Sequence, residues 1–138
     1  MMGSGMRFAI WRGGLAALYL ALALPQIFRY SPTADEPAHL VAGAGHLLVR
    51  DFTLEPVNPP LARLWACLPY LALRPDLPLA SVHWRDRHPG AAGLEFLYRN
   101  RLPWKTLVIW PRVMTALLGA ALVWWIVGWA ETRAGRIG

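Results

Sequence analysis

Cysteine and charged residues are scarce in this sequence. The single cysteine, Cys67, excludes a disulfide framework and any metal site that needs several cysteines. Charged residues make up only 16% of the 138 positions, compared with about a quarter in soluble globular domains, and 56% of positions are hydrophobic. Disordered chains combine low hydrophobicity with high net charge, so that class is also excluded. Eight tryptophans favour a membrane protein, because indole rings collect at the level of the lipid headgroups.

The excess of positive charge restricts the possible partners. A net charge of +6 suits either nucleic acid or an anionic membrane surface. The arginines are scattered among apolar segments instead of clustering on one face, which argues against nucleic acid. We therefore expect the lipid bilayer, and no nucleic acid, among the partners of this chain, whose length allows one domain at most.

Two apolar runs predict transmembrane helices, over about residues 11–29 and 109–130. The first run has sixteen residues between Arg12 and Arg29, or about 24 Å of helix, and the flanking arginines can reach the headgroups of a ~30 Å hydrocarbon core. The second, from Val113 to Ala130, is longer. We therefore predict an all-α membrane protein in which a long outer loop, about residues 30–108, joins two spans. A cleaved signal peptide is the alternative interpretation of the first run.

The distribution of basic residues predicts which side of the membrane the loop faces. Four basic residues lie in the two short tails, whereas the other ten are spread over the much longer stretch from Arg29 to Arg112. Because long loops translocate largely regardless of their charge, we expect the tails in the cytoplasm and the loop outside. The four tail residues are Arg7, Arg12, Arg133 and Arg136.

Further helical segments are predicted within the loop. Five residues of segment 36–50 recur at steps of three and four, beside a stripe of apolar residues, so we predict an amphipathic helix in the membrane interface with its polar edge toward water or a cavity. The five are Glu36, His39, Gly43, His46 and Arg50. The other predictions are a short helix over 61–68, a re-entrant or interfacial stretch over 64–73 that is too short to span, an exposed irregular segment over 74–93, and one or two helical turns over 94–101.

An acidic pair, Asp35 and Glu36, directly follows the first predicted span. Asp35 is suited to cap the next helix, and Pro37 is tolerated in its first turn because proline has no amide hydrogen to leave unpaired. One interpretation gives the pair only these structural duties, with Glu36 complementing the helix dipole. The other is a functional site, since Gly43 and Gly45 leave part of the helix open to a substrate or to another helix.

Zinc is a further alternative for this helix. Glu36, His39 and His46 are residue types that bind zinc and share one stripe. Three ligands from a single helix without a second source form a weak pattern, so we expect neither a metal nor another cofactor.

Two motifs resemble a known family. They are Thr33-Ala-Asp-Glu-Pro-Ala-His39 and Arg50-Asp-Phe-Thr-Leu-Glu-Pro-Val-Asn-Pro-Pro-Leu-Ala-Arg-Leu-Trp-Ala-Cys-Leu-Pro69. Together they resemble the start of a GT-C glycosyltransferase, more narrowly the bacterial phospholipid-carrier-dependent enzymes similar to protein O-mannosyltransferases and aminoarabinose transferases. Residues 94–100 and 110–118 are similar to a later part of that family, so the likeness covers about residues 10–138. Asn58 stands where the family usually has histidine before Pro-Pro.

The resemblance implies transfer of a sugar, hexosyl or pentosyl, from a polyprenyl-phosphate carrier to an acceptor glycan, lipid or protein, with inversion, at the outer face of the bacterial inner membrane. By the family's motif, Asp35 is the general base, while Glu36 and His39 bind substrate, Glu36 by orienting the acceptor. Arg112 is expected to contact the phosphate or to pair with Asp35 or Glu36, the alternative being an interfacial arginine whose side chain reaches the headgroups, and Arg63 is expected to be solvated. Family members carry many more spans, so residues 1–138 are expected to be an N-terminal portion of a GT-C domain that is inactive alone.

The competing hypothesis is a small two-span membrane protein that binds a partner without catalysis. Its basis is the length of the chain, because two helices cannot enclose a carrier lipid and an acceptor together. Further in-frame apolar runs of about twenty residues in the coding sequence would favour the transferase.

Overall fold

The computed structural model describes residues 4–134. Within that range the chain is all-helical, as predicted, and contains seven helices and no strands. The helices are α1 (Ser4–Arg29), α2 (Glu36–Leu48), α3 (Leu61–Cys67), α4 (Tyr70–Leu73), α5 (Val82–Arg85), α6 (Pro89–Tyr98) and α7 (Trp104–Ala134). They fall into two compact units, residues 1–29 with 115–138, here called the paired-helix unit, and residues 30–114, called the loop unit.

The two long helices have the length and composition that crossing a bilayer requires. The apolar parts are Ala9–Arg29 in α1 and Trp104–Arg133 in α7, and only 6% of the most apolar 18-residue window of each helix is buried inside the chain. Both predicted spans are therefore helices, and the second helix begins at Trp104, earlier than the predicted residue 109. Two of the tail arginines on which the topology depends, Arg136 and the side chain of Arg7, lie outside the described residues.

Small residues and one ion pair join the antiparallel helices of the paired-helix unit. Arg12 donates from Nε to Oε2 of Glu131 over 2.8 Å, and its Nη2 bonds to the same oxygen. Gly119 lies so close to the ring of Tyr19 that a Cβ there would overlap it. The sequence alone placed Arg12 at the end of an apolar run and among the basic residues of the tails, whereas the fold pairs it with Glu131.

Helix α2 is the centre of the loop unit. It packs against α3, α4 and α6, and every residue from Leu40 to His46 is buried. The prediction of an amphipathic helix that lies on a membrane interface is therefore wrong for the middle of α2, because other parts of the loop unit cover Gly43 and His46 of the polar stripe as well as the apolar stripe, while His39 stays partly exposed. The core residues around it are Leu40, Val41, Ala44, Leu54, Cys67, Tyr70, Trp84, Ala92, Phe96, Leu97, Leu107 and Val108.

Glycines permit the close packing around α2. A Cβ on Gly43 would lie 2.5 Å from Sγ of Cys67, and a Cβ on Gly45 would lie 2.8 Å from the ring of Trp84. Of the two uses predicted for these glycines, approach of a substrate or of another helix, the structure shows close approach of the chain's own helices. Gly93 of α6 faces the backbone of Pro37, where a side chain has no room.

We expect Gly93→Ala to destabilise the loop unit by about 1–3 kcal/mol, since an added Cβ must push the α6 backbone away from that of α2. The measurement is the free energy of unfolding in detergent, obtained by titration with a denaturant. Gly90→Ala in the same helix is the matched control, because nothing lies within 4 Å of its Cβ position. Equal stability of the two variants would contradict the close α2–α6 contact.

The segment predicted to be irregular, residues 74–93, contains α5 and the start of α6. Ser81 caps α5, accepting a hydrogen bond from the amide of His83, and the buried ring of Trp84 donates to Asp51 over 2.9 Å. Pro89 occupies the first turn of α6, where its missing amide hydrogen costs nothing, so this proline starts a helix instead of breaking one. The helix predicted over 94–101 consequently lies at 89–98, while α2 and α3 end at Leu48 and Cys67, close to their predicted ends.

Candidate functional site

Asp35 lies at the N-cap position of α2, but its carboxylate does not cap the helix. The backbone carbonyl of Asp35 accepts from the amides of Ala38 and His39 at 3.1 and 3.3 Å, while no side-chain capping bond forms. Instead, Oδ1 accepts from the hydroxyl of Thr33 at 3.2 Å, and 78% of the side chain is exposed. The predicted capping role is therefore wrong for the side chain, and the carboxylate is open to a ligand.

Glu36 forms a two-pronged ion pair with Arg112. Nε and Nη2 of Arg112 donate to Oε1 and Oε2 of Glu36 over 2.7 and 2.6 Å, and both side chains are mostly buried. Arg112 also donates to the carbonyls of Tyr30 and Ser31 at 2.8 and 3.0 Å. Of the alternatives predicted for Arg112, the structure brings it to Glu36. The pair fixes the start of α2 and the segment leading into it.

His39 lies between two carboxylates, one exposed and one buried. Its Nε2 is 3.9 Å from Oδ2 of Asp35, one helical turn earlier, and its Nδ1 is 3.5 Å from Oε2 of Glu55. Nδ1 is buried, whereas 40% of the side chain as a whole is exposed. The ring thus presents one edge to the protein and the other to solvent. This arrangement joins two predicted site residues, Asp35 and His39, to one that was not predicted, Glu55.

Glu55 and Arg63 form a buried ion pair on the Nδ1 side of His39. Nη1 of Arg63 lies 2.6 Å from Oε2 of Glu55, and the two side chains are only 7% and 9% exposed. Arg63 also donates to the carbonyls of Asn58 and Glu55 at 2.6 and 3.2 Å, and Nδ2 of Asn58 donates to Oε1 of Glu55 at 2.8 Å. The expectation of a solvated Arg63 is therefore wrong. The proline-rich turn folds residues 55–58 back over α3 and supplies the partners of the arginine.

A pocket of about 290 Å³ opens beside His39. Its polar edge is formed by His39, Asn58 and Arg63, and its apolar wall includes Leu40, Ala62 and Ala66. A ligand with an apolar body and a hydroxyl group fits this lining, because the hydroxyl can pair with the polar edge.

Two other polar groups of the core, Cys67 and Tyr70, are unreactive near neutral pH. Burial raises the pKa of Cys67 to about 12, so the thiol stays protonated and is a poor nucleophile. Burial also raises the pKa of Tyr70 well above its usual value, and the hydroxyl donates to the carbonyl of Leu107 at 2.5 Å. Neither side chain is suited to proton transfer near neutral pH.

His46 is a buried histidine that stacks on an aromatic ring. Its ring lies 4.3 Å from that of Phe52, centroid to centroid, and its pKa is lowered by burial and by the charge of Arg63, against the opposing charges of Glu55 and Asp51. The three residues considered for zinc thus have separate surroundings, with Glu36 on Arg112 and His39 between carboxylates. Within the described residues no group of three or more His, Cys, Asp and Glu side chains is arranged to hold a metal.

We expect the stability of the loop unit to fall as the pH drops below about 6.5 because of His46. The folded state favours the neutral ring, so the unfolded chain binds the proton first, and the stabilisation present above the unfolded pKa is lost toward the lowered folded pKa. The measurement is the free energy of unfolding at several pH values for the native chain and His46→Phe. An unchanged pH dependence in this apolar variant would contradict the assignment.

Comparisons of the chain with protein families, with curated proteins and with solved structures find no match. The clearest chemical feature is the exposed carboxylate of Asp35, next in sequence to an anchored Glu36 and beside a histidine with one open edge.

Proposed function

We propose that this chain takes part in sugar transfer from a polyprenyl-phosphate carrier to a hydroxyl acceptor at the outer face of a bacterial inner membrane. The observation that carries the proposal is the exposed carboxylate of Asp35, held at the first turn of α2 by the Glu36–Arg112 pair. The motif resemblance of residues 33–39 and 50–69 supports the same reaction. The two apolar helices support a membrane location.

In the proposed reaction Asp35 is the general base. The acceptor hydroxyl attacks the anomeric carbon, its oxygen forms the new glycosidic bond, and its proton passes to the carboxylate of Asp35. The bond between that carbon and the phosphate oxygen breaks, and the lipid phosphate leaves with the electron pair. Attack opposite to the leaving group inverts the anomeric configuration. The solvent-open side of Asp35 gives an acceptor room to approach.

Glu36 takes a different part from the one first expected. Because both of its oxygens are engaged by Arg112, it orients the acceptor only through the position of α2, and Arg112 is committed to a carboxylate instead of a phosphate. We assign the pair to positioning Asp35. His39, with its exposed edge and its pocket, is the residue placed to contact the acceptor.

The proposed topology puts the loop unit outside the cell and the ends of the paired helices in the cytoplasm. We expect a cysteine at Gly90, an exposed position, to react with a membrane-impermeant maleimide added to intact cells, and a cysteine at exposed Thr132 to react only after lysis. The native chain is the control, because its buried Cys67 stays protonated and unreactive. The reverse labelling pattern would overturn the topology.

The second candidate is a two-span membrane protein that binds a partner without catalysis. It is favoured by the commitment of Arg112 to Glu36, which leaves the phosphate of a carrier without that cation. Transfer of labelled sugar from a panel of polyprenyl-phosphate sugars, measured in membranes that contain the protein as encoded by its full gene, separates the candidates. Transfer that depends on Asp35 supports catalysis, whereas absence of transfer across the panel supports the binding protein.

A further inference from the structure

The buried ion pair of Glu55 with Arg63 also faces His39, so its role is not only structural. Glu55 is almost fully buried; its Oε1 accepts a hydrogen bond from Nδ2 of Asn58, and its Oε2 lies in an ion pair with Arg63 but has no hydrogen-bond partner among the described residues. The same Oε2 that pairs with Arg63 is the atom that faces Nδ1 of His39, at 3.5 Å. Because Arg63 and Asn58 hold this buried carboxylate in place, it is an acceptor for the imidazole of His39 at Nδ1 only.

The orientation of a hydrogen-bond partner decides which nitrogen of a neutral histidine carries the proton. In water the neutral ring of histidine carries it mainly on Nε2. A carboxylate at Nδ1 reverses this preference, because Nδ1–H can then donate to the negative charge, as in the serine-hydrolase triad where a buried aspartate holds the histidine in its productive tautomer. In this chain the resulting lone pair on Nε2 faces the exposed carboxylate of Asp35.

We propose that Glu55 is a positioning residue that holds His39 in its Nδ1–H tautomer, so that the free Nε2 of His39 takes over the proton that Asp35 removes from the acceptor hydroxyl. The last step of this proposal rests on the proposed function. The proton moves from the acceptor oxygen to Oδ2 of Asp35, then to Nε2, and then to water. The imidazolium that forms for this interval is stabilised by the negative charge of Glu55, and Asp35 returns to its ionised form.

The distances are consistent with a site that closes around its substrate. The 3.9 Å between Oδ2 and Nε2 is longer than a hydrogen bond, and the exposed side chain of Asp35 can shorten it by rotating about its own bonds. Catalytic hydrogen bonds are often long before substrate binds. The pocket beside His39 seats the acceptor next to the imidazole ring, and the exposed carboxylate of Asp35 lies 3.9 Å from the outer nitrogen of that ring.

The test reads the tautomer directly and needs no activity. The full chain is labelled with ¹⁵N-histidine and studied in detergent micelles at about pH 8, where histidine of ordinary pKa is neutral. Long-range ¹H–¹⁵N spectra then report which nitrogen of each of the four histidines is protonated, and His39→Gln assigns the signal of His39. We expect the Nδ1–H form to predominate at His39.

The informative variant removes the carboxylate without leaving a buried charge. Glu55→Leu together with Arg63→Met replaces the ion pair by apolar side chains of similar size, a change that buried pairs often tolerate. We expect this double variant to keep its helical content and to show mainly the Nε2–H form at His39. A dominant Nε2–H form in the native chain, or an unchanged tautomer in the folded double variant, would overturn the positioning role.

The double variant also separates this inference from the proposed function. In the transfer assay we expect it to lower kcat about 10-fold or more while the KM for the carrier lipid stays unchanged, since the two substitutions act on proton transfer and on the acceptor pocket that Arg63 lines, and not on the carrier. Unchanged kcat in a variant whose tautomer has switched would refute the proton step. If sugar transfer does not depend on Asp35, in contrast, the proposed function is refuted, whereas the tautomer result still stands.

Discussion

Replacing Asp35 by asparagine is expected to reduce sugar transfer by about 10²–10⁴-fold, because an amide cannot accept the proton of the acceptor hydroxyl. The substitution leaves the fold intact for two reasons. The side chain of Asp35 makes no capping bond to α2, and its single acceptor contact, with the hydroxyl of Thr33, is one that an amide oxygen can keep. The measurement is kcat for transfer of labelled sugar from the carrier lipid in membranes holding equal amounts of each variant.

Thr33→Val is the matched control for Asp35→Asn. It removes the hydroxyl that contacts Asp35 but keeps the carboxylate, so we expect a small change in kcat. Glu36→Gln, which weakens the pair with Arg112, is expected to raise the KM for the acceptor more than it lowers kcat, since its part is to position α2. Native turnover in Asp35→Asn would show that this residue is not the base.

Replacing Arg63 by methionine is expected to destabilise the loop unit by about 3–5 kcal/mol, the cost of leaving one partner of a buried ion pair without the other. Glu55 would lose its charged partner in a site where its side chain is only 9% exposed, with Asn58 as its remaining hydrogen-bond donor. The measurement is the rate at which Cys67 reacts with a maleimide, because this buried thiol becomes accessible only when the unit opens. We expect alkylation about 10² times faster or more.

The double variant Glu55→Leu with Arg63→Met is the control that isolates the unpaired charge. It removes both partners, so we expect most of the lost stability to return and Cys67 to be protected again. If Arg63→Met alone leaves the alkylation rate at its native value, then Arg63 is solvated, as its sequence context suggests, and the buried pair is wrong.

Local patterns in the sequence predicted the helices better than they predicted the site. The long apolar runs and the acidic pair before Pro37 are short-range signals that can be read from the sequence. The proximity of Arg112 to that pair, between residues 76 positions apart, was only one of several alternatives. Burial of α2 did not follow from its periodicity, because polar residues at steps of three and four are as compatible with a solvated stripe as with a polar network inside a core. His46, stacked on Phe52, is an example of the second case.

The supporting half of the site was beyond prediction because it depends on contacts between elements. Glu55 lies in a proline-rich turn, which is typical of exposed loops, and Arg63 lies on a short helix with no acidic neighbour one turn away. Residues eight positions apart on one helix are about 12 Å apart along its axis, so the hydrogen bond from Arg63 to the carbonyl of Glu55 depends on the turn between them and not on a helical spacing. The single available signal was the unusual density of prolines at 56–60, which forces the chain to reverse direction there.

The pairing of Glu36 with Arg112 also sets the order of events during synthesis. The two residues are 76 positions apart, and the hydroxyl of Tyr70 likewise waits for Leu107, 37 positions later. Helix α2 therefore emerges from the ribosome with its apolar surface uncovered, and its last partners arrive only with the start of α7. Contacts between distant positions slow folding, because a long loop must close before they form. The loop unit consequently matures late, and an exposed α2 is the state in which a chaperone or a protease would meet the nascent chain.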